Sequence, residues 1–158
     1  MSESNRRVLG SYELLIAIAE SPGRRIWLGR DVSDASGEGE PVLVVLRPAA
    51  LGDPERLERI RTLSHPAILR VRAAQVEGDE LIVVHDYVHG FDLDVWRRYL
   101  EGAHRHPPFA VWCHVVASVL EGLQHAHQGV TPLVHGTLTP EDVLVDVEGR
   151  VHLIGFDV

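Results

Sequence analysis

From Phe109 to His127 the chain reads as one helix that is apolar on nearly every face: Phe109, Ala110, Val111, Trp112, Val115, Val116, Val119, Leu120 and Leu123. Such a helix expects burial on every face, because apolar area left in water is unfavourable in proportion to its extent. A shorter helix is predicted over Leu93–Leu100, with a loop at His104–Pro108 between the two. Two short strands close the chain, Val143–Val145 and Val151–Ile154, joined through residues 146–150.

The first half reads differently. Apolar runs at Tyr12–Ile18 and Arg25–Arg30 flank Ser21-Pro22-Gly23, a turn signal, so they form a hairpin. Ser33–Glu40 is a polar loop, and Pro41–Leu46 is a wholly apolar strand, expected to be buried on both faces. Asp53-Pro54 starts a helix, with Asp as its cap and Pro in its first turn. Leu57, Ile60 and Leu63 follow at a spacing of three, and the helix stops before His65-Pro66. Strands over about Leu69–Gln75 and Glu80–Tyr87 flank Glu77-Gly78-Asp79. The class is α+β: five strands with one helix after the third, then helices and a strand pair.

Composition closes several chemistries. All 15 basic residues are Arg, so no Schiff base, phosphate-cradling Lys or Lys general base is available. The only Asn is Asn5. A net charge of −8 argues against nucleic acid as a main partner. Cys113 is the only cysteine, which excludes an intrachain disulfide and gives no sign of an oxidising compartment; a buried, inert thiol is expected there. Ser11, Tyr12 and Glu13 interrupt the space between Arg6-Arg7 and the apolar run Leu14–Ala19, which is only six residues long, so a signal peptide is rejected. No segment reaches the roughly 18 apolar residues of a membrane span. His104/His106 and His125/His127 are each spaced by two; on a helix that spacing points two side chains to different faces, so no metal site is expected.

The element order and several motifs resemble the protein-kinase fold in its bacterial Ser/Thr form. His65-Pro66-Ala67-Ile68 is similar to the His-Pro-Asn-Ile turn after the kinase C-helix. The stretch from His135 to Val145 resembles the catalytic loop, and Gly149 to Asp157 resembles the strand pair ending in Asp-Phe-Gly. The resemblance covers nearly the whole chain and about the first half of a kinase domain. It implies residues 1–10 as a tail, 11–88 as a five-stranded antiparallel N-lobe with one C-helix, and 89–158 as a partial helical C-lobe.

Kinases position nucleotide, metal and hydroxyl rather than supply covalent chemistry, so each lost group can be weighed. Ala19, Ser21 and Arg24 stand where the phosphate-covering loop has glycines. Val44 or Val45 stands at the strand-three Lys, and Glu55 or Glu58 would be the C-helix Glu, left without that partner. Thr137 stands at the catalytic Asp, whose loss alone costs about 10²–10⁴-fold. Gly136 and Thr139 replace the neighbouring Arg and Lys. Asp142 stands at the metal-binding Asn, and Gly155 at the metal-binding Asp of Asp-Phe-Gly. His135 and Phe156 match residues that pack beneath the site.

The resemblance therefore implies a pseudokinase, cytoplasmic and without cofactor, in which neither catalysis nor ATP binding is expected. The partner would be another protein or a second copy, met through the long helix with Phe109, Trp112, Val115, Val116, Val119 and Leu123 as interface candidates. The alternative is a nucleotide- or metabolite-sensing domain using the cleft beside the His85–Gly90 hinge. A rearranged phosphotransferase using Asp142 and Asp157 is a third possibility.

Overall fold

The computed structural model describes residues 7–33, 39–128 and 131–158. Most of the expected tail, part of the Ser33–Glu40 loop and the Arg6 of the Arg pair lie outside the described residues. The chain divides into two compact units: Met1–Leu57 with Val71–Tyr87, and Glu58–Arg70 with Val88–Val158.

The first unit is a six-stranded antiparallel sheet. Its strands are β1 (Arg7–Leu9), β2 (Tyr12–Ser21), β3 (Arg24–Asp31), β4 (Pro41–Pro48), β5 (Val71–Glu77) and β6 (Glu80–Asp86). They lie in the order β1-β2-β3-β4-β6-β5. Five of these match the sequence expectation. The sixth, β1, corrects it, because the expected tail ends in a strand that pairs with β2 from Arg7↔Leu14 to Leu9↔Tyr12. Central β4 pairs with β3 and β6, and Val42 to Leu46 are all buried, as its unbroken apolar run demands. Leu9, Leu14, Val42, Val44, Leu46, Ile82 and Val84 form its core cluster. The carboxylate of Glu13, itself buried, accepts from Arg30 Nε at 2.6 Å.

Helix α1 (Pro54–Thr62) straddles the division between the units. Asp53 caps it, accepting the Glu55 N–H at 3.1 Å.

The second unit holds α2 (Leu93–Gly102), α3 (Phe109–His127) and a three-stranded sheet of β7 (Gly90–Asp92), β8 (Val143–Asp146) and β9 (Val151–Leu153). Strand β7 was not expected; it starts at Gly90, the last residue of the expected hinge. Gly90 is required there, since a Cβ would lie 2.1 Å from the Val145 carbonyl oxygen. Asp92 then caps α2 by accepting the Val95 N–H at 2.7 Å.

The His65–Ile68 turn is a stitch within this unit. His65 Nδ1 accepts the Ala67 N–H at 3.1 Å, and Ile68 N–H donates to the His65 carbonyl. Ala67 and Leu69 then bond the backbone of Leu153 at 2.9 Å each, and the His65 ring stacks on His125 at 4.8 Å. Helix α3 packs on β9. Gly122 makes this approach possible: a Cβ there would lie 2.9 Å from Leu153 Cδ1.

Burial of α3 on every face is not what the structure shows. Only Val115, Gly122 and Ala126 are buried. Phe109 is 81 % exposed, and Trp112, Val116 and Leu120 are exposed as well. Among the described residues no helix is long and apolar enough to cross a membrane.

Candidate functional site

Residues 135–157 form a compact cluster in the second unit. The buried His135 ring places Nε2 2.8 Å from the Ile154 carbonyl. A carbonyl only accepts, so the proton sits on Nε2. The same ring meets Phe156 edge-on at 4.8 Å. Both residues thus pack as the motif comparison implied.

Asp142 is buried at the end of a short turn, Pro140–Asp142, that begins with Thr139. Its Oδ2 accepts from the Thr139 N–H at 2.8 Å and from the Thr139 hydroxyl at 2.9 Å. Its backbone also takes part, since Ile154 N–H donates to its carbonyl at 2.9 Å. Thr139 and Asp142 therefore close a local cap, and one carboxylate oxygen is committed to it.

Gly155 lies against this cap with φ +90°. A Cβ there would lie 2.8 Å from Asp142 Oδ1 and 3.2 Å from His135 Nε2. The backbone and its neighbours both exclude a side chain at the position. Gly136 also has positive φ, +81°, but a Cβ there would meet nothing closer than the Val158 carbonyl oxygen at 4.0 Å. Thr137 and Leu138 are exposed. Asp157 is 1 % exposed, so its carboxylate lies inside the unit rather than facing solvent.

Below this cluster the β8–β9 turn is held by Asp146. Its carboxylate accepts from the Glu148 and Arg150 N–H groups at 2.9 Å each and from Arg150 Nε at 2.7 Å. His152 Nε2 stands 3.2 Å away. Burial pushes the Asp146 carboxyl up, but hydrogen bonds from Arg150, His152 and Glu148 outweigh it and hold the group well below the usual carboxylate range.

In the first unit, β2 and β3 meet as Ser21↔Arg24 across Pro22-Gly23, with Gly23 at φ +76°. That is a tight two-residue hairpin, with Ala19, Ser21 and Arg24 all held in its strands. Beside it, a cavity of about 350 Å³ carries Arg24, Arg25 and Arg47, but also Glu20, Asp79 and Glu80. Arg25 and Arg7 both pair with Glu80. Three guanidiniums facing three carboxylates give the cavity no net pull on an anion. Val44 and Val45 are 0 % and 1 % exposed in β4, and neither supplies a cation. Glu58 is a surface carboxylate 3.6 Å from Arg61, and Glu55 is exposed.

Two readings of α3 need correction. Val115, expected at an interface, is buried at 4 % on the face the unit covers. Cys113, expected to be buried, is exposed. Leu120 belongs to the exposed stripe and was passed over, although its spacing of four from Val116 was visible. Val119 and Leu123 are half-buried.

No family model matches the chain. It is 32 % identical over 151 residues to the serine/threonine-protein kinase PkaB of Streptomyces coelicolor, covering 91 % of this chain and 34 % of that protein. It is 25 % identical over 161 residues to the serine/threonine-protein kinase PrkC of Bacillus subtilis, covering 97 % and 23 %. The fold matches the crystal structure of the Mycobacterium tuberculosis PknI kinase domain with a TM-score of 0.76 at 22 % identity, over 99 % of this chain and 62 % of that one. The chain has the protein-kinase-like fold and is similar in sequence to bacterial serine/threonine-protein kinases. It spans about a third or less of the length of these two curated relatives, so their activity does not transfer with the fold.

Proposed function

We propose that this kinase-like chain is catalytically inactive and binds another protein, in the simplest case a second copy of itself, through the exposed face of α3. The observation that carries the reading is the stripe Phe109, Trp112, Val116 and Leu120. These residues recur at three- and four-residue steps along one face and are all exposed. Trp112 is steadied from α2 by Trp96, ring centres 5.3 Å apart.

Loss of catalysis is supported by the 135–157 cluster. The residues there do not fit a magnesium ion bound to nucleotide phosphate. One oxygen of Asp142 is spent on Thr139, Gly155 has no ligand atom and no room for one, and Asp157 is buried.

Light scattering on the purified chain, with and without Val116→Glu and Leu120→Glu together, tests the proposal. The expected result is a mass above the monomer for the native chain and a monomer for the double variant. A monodisperse native monomer that behaves identically to the variant overturns it.

A further inference from the structure

The second unit also contains a cavity of about 510 Å³, within the size range of small-molecule sites. Its lining includes none of His135, Thr139, Asp142 and Gly155. Its walls are Phe91 and Trp96 on one side, Val111 and His114 of α3 on another, and Val145 with Gly149 of the β8–β9 turn on a third. At about 100° per residue, Val111 and His114 lie on a different face of α3 from Phe109, Val116 and Leu120. The cavity thus opens on another face of α3 than Phe109, Val116 and Leu120, and meets the stripe only where Trp96 packs on Trp112.

Three features describe what would fit. The lining is almost wholly aliphatic and aromatic and contains no Lys or Arg. Its one carboxylate, Asp146, is already engaged by four contacts from three residues, Glu148, Arg150 and His152, so it offers nothing to a cation and keeps the wall in shape. His114 Nε2 stands 3.0 Å from the Gly149 carbonyl, so it carries the proton, and Nδ1 of the same ring is left as an acceptor. We propose that this cavity binds a small, neutral aromatic molecule bearing one N–H or O–H donor, of the indole or phenol class. Flat rings would sit between Trp96 and the α3 wall, and the donor would meet His114.

The test is a titration of indole into the ¹⁵N-labelled chain, followed by amide shifts. The expected result is one saturable site with half-saturation on the order of 1 mM, suited to so small a ligand, with shifts at Val111, His114, Val145 and Gly149. N-methylindole, which lacks the donor, is expected to bind at least fivefold more weakly to the same native chain. Val111→Trp, which fills the cavity, is expected to abolish the shifts, with Ala110→Leu as a milder filling variant; Leu120→Ser leaves them intact. Absence of a saturable site in the native chain overturns the proposal. So do shifts centred on Val116 and Leu120, or equal binding of the two indoles.

Discussion

Placing an aspartate by Gly155→Asp, where the kinase motif that the sequence resembles has a metal-binding Asp, is expected to damage the fold rather than build a site. The backbone at 155 has φ +90°, which costs an L-residue about 1–2 kcal/mol. The new Cβ meets Asp142 Oδ1 at 2.8 Å and His135 Nε2 at 3.2 Å. Neither neighbour can step aside freely, because Asp142 is pinned by Thr139 and His135 by the Ile154 carbonyl. Overpacking of that kind costs a further ~1–3 kcal/mol, for about 2–5 kcal/mol in all. Gly155→Ala carries these two effects alone; the aspartate adds a second carboxylate beside a buried one, so it is expected to be the worse. At roughly 2–4 °C per kcal/mol, both variants lose at least about 4 °C in melting temperature. Thermal unfolding followed by circular dichroism measures this. Melting of Gly155→Asp within 2 °C of the native chain would refute the reasoning, and a magnesium-dependent stabilisation of that variant would refute it more sharply.

Gly90→Ala drives a methyl into the Val145 carbonyl at 2.1 Å, so the β7–β8 pairing is expected to open at a cost of about 3 kcal/mol, read by urea unfolding; Gly102→Ala, with open space around it, serves as the neutral comparison. Asp146 links stability to pH. Its folded carboxyl is held below the unfolded value of about 3.9, so its contribution is present above that pH and is lost as pH falls below it through the folded value. Asp146→Asn should therefore melt earlier at pH 7, by roughly 2 kcal/mol for the charge-assisted bonds lost, and should show a flatter decline in stability below pH 4; parallel acid limbs for the two proteins would contradict this. Asp142→Ala uncaps the 140–142 turn and is expected to lower stability by about 2 kcal/mol. Replacement by Asn, which keeps an acceptor for Thr139, recovers most of it.

Much of this was legible in the residues. Ser21-Pro22-Gly23 announced a hairpin, because proline pre-sets one turn dihedral and glycine supplies the positive one; that the loop is only two residues long came from the fold. Asp53-Pro54 announced the start of α1, and an unbroken apolar β4 announced a central strand. What was missed depended on distant partners. Strand β1 is three residues long and exists by pairing with β2. Strand β7 exists by pairing with β8 across a glycine that looked like hinge material. Which face of α3 is buried is decided by where β9 lies, so Val115 and Val116, adjacent and chemically identical, have opposite fates. The site positions were legible as residue types, but their geometry was not. That Asp142 turns to Thr139, that Gly155 is crowded, and that Asp157 lies inside all required the fold.

The central claim is that a kinase-like scaffold is kept here without the means to hold a magnesium nucleotide. Calorimetric titration of ATP into the native chain, with and without magnesium, tests it directly. No saturable heat is expected in either titration up to millimolar nucleotide. Saturable binding that requires magnesium would contradict it.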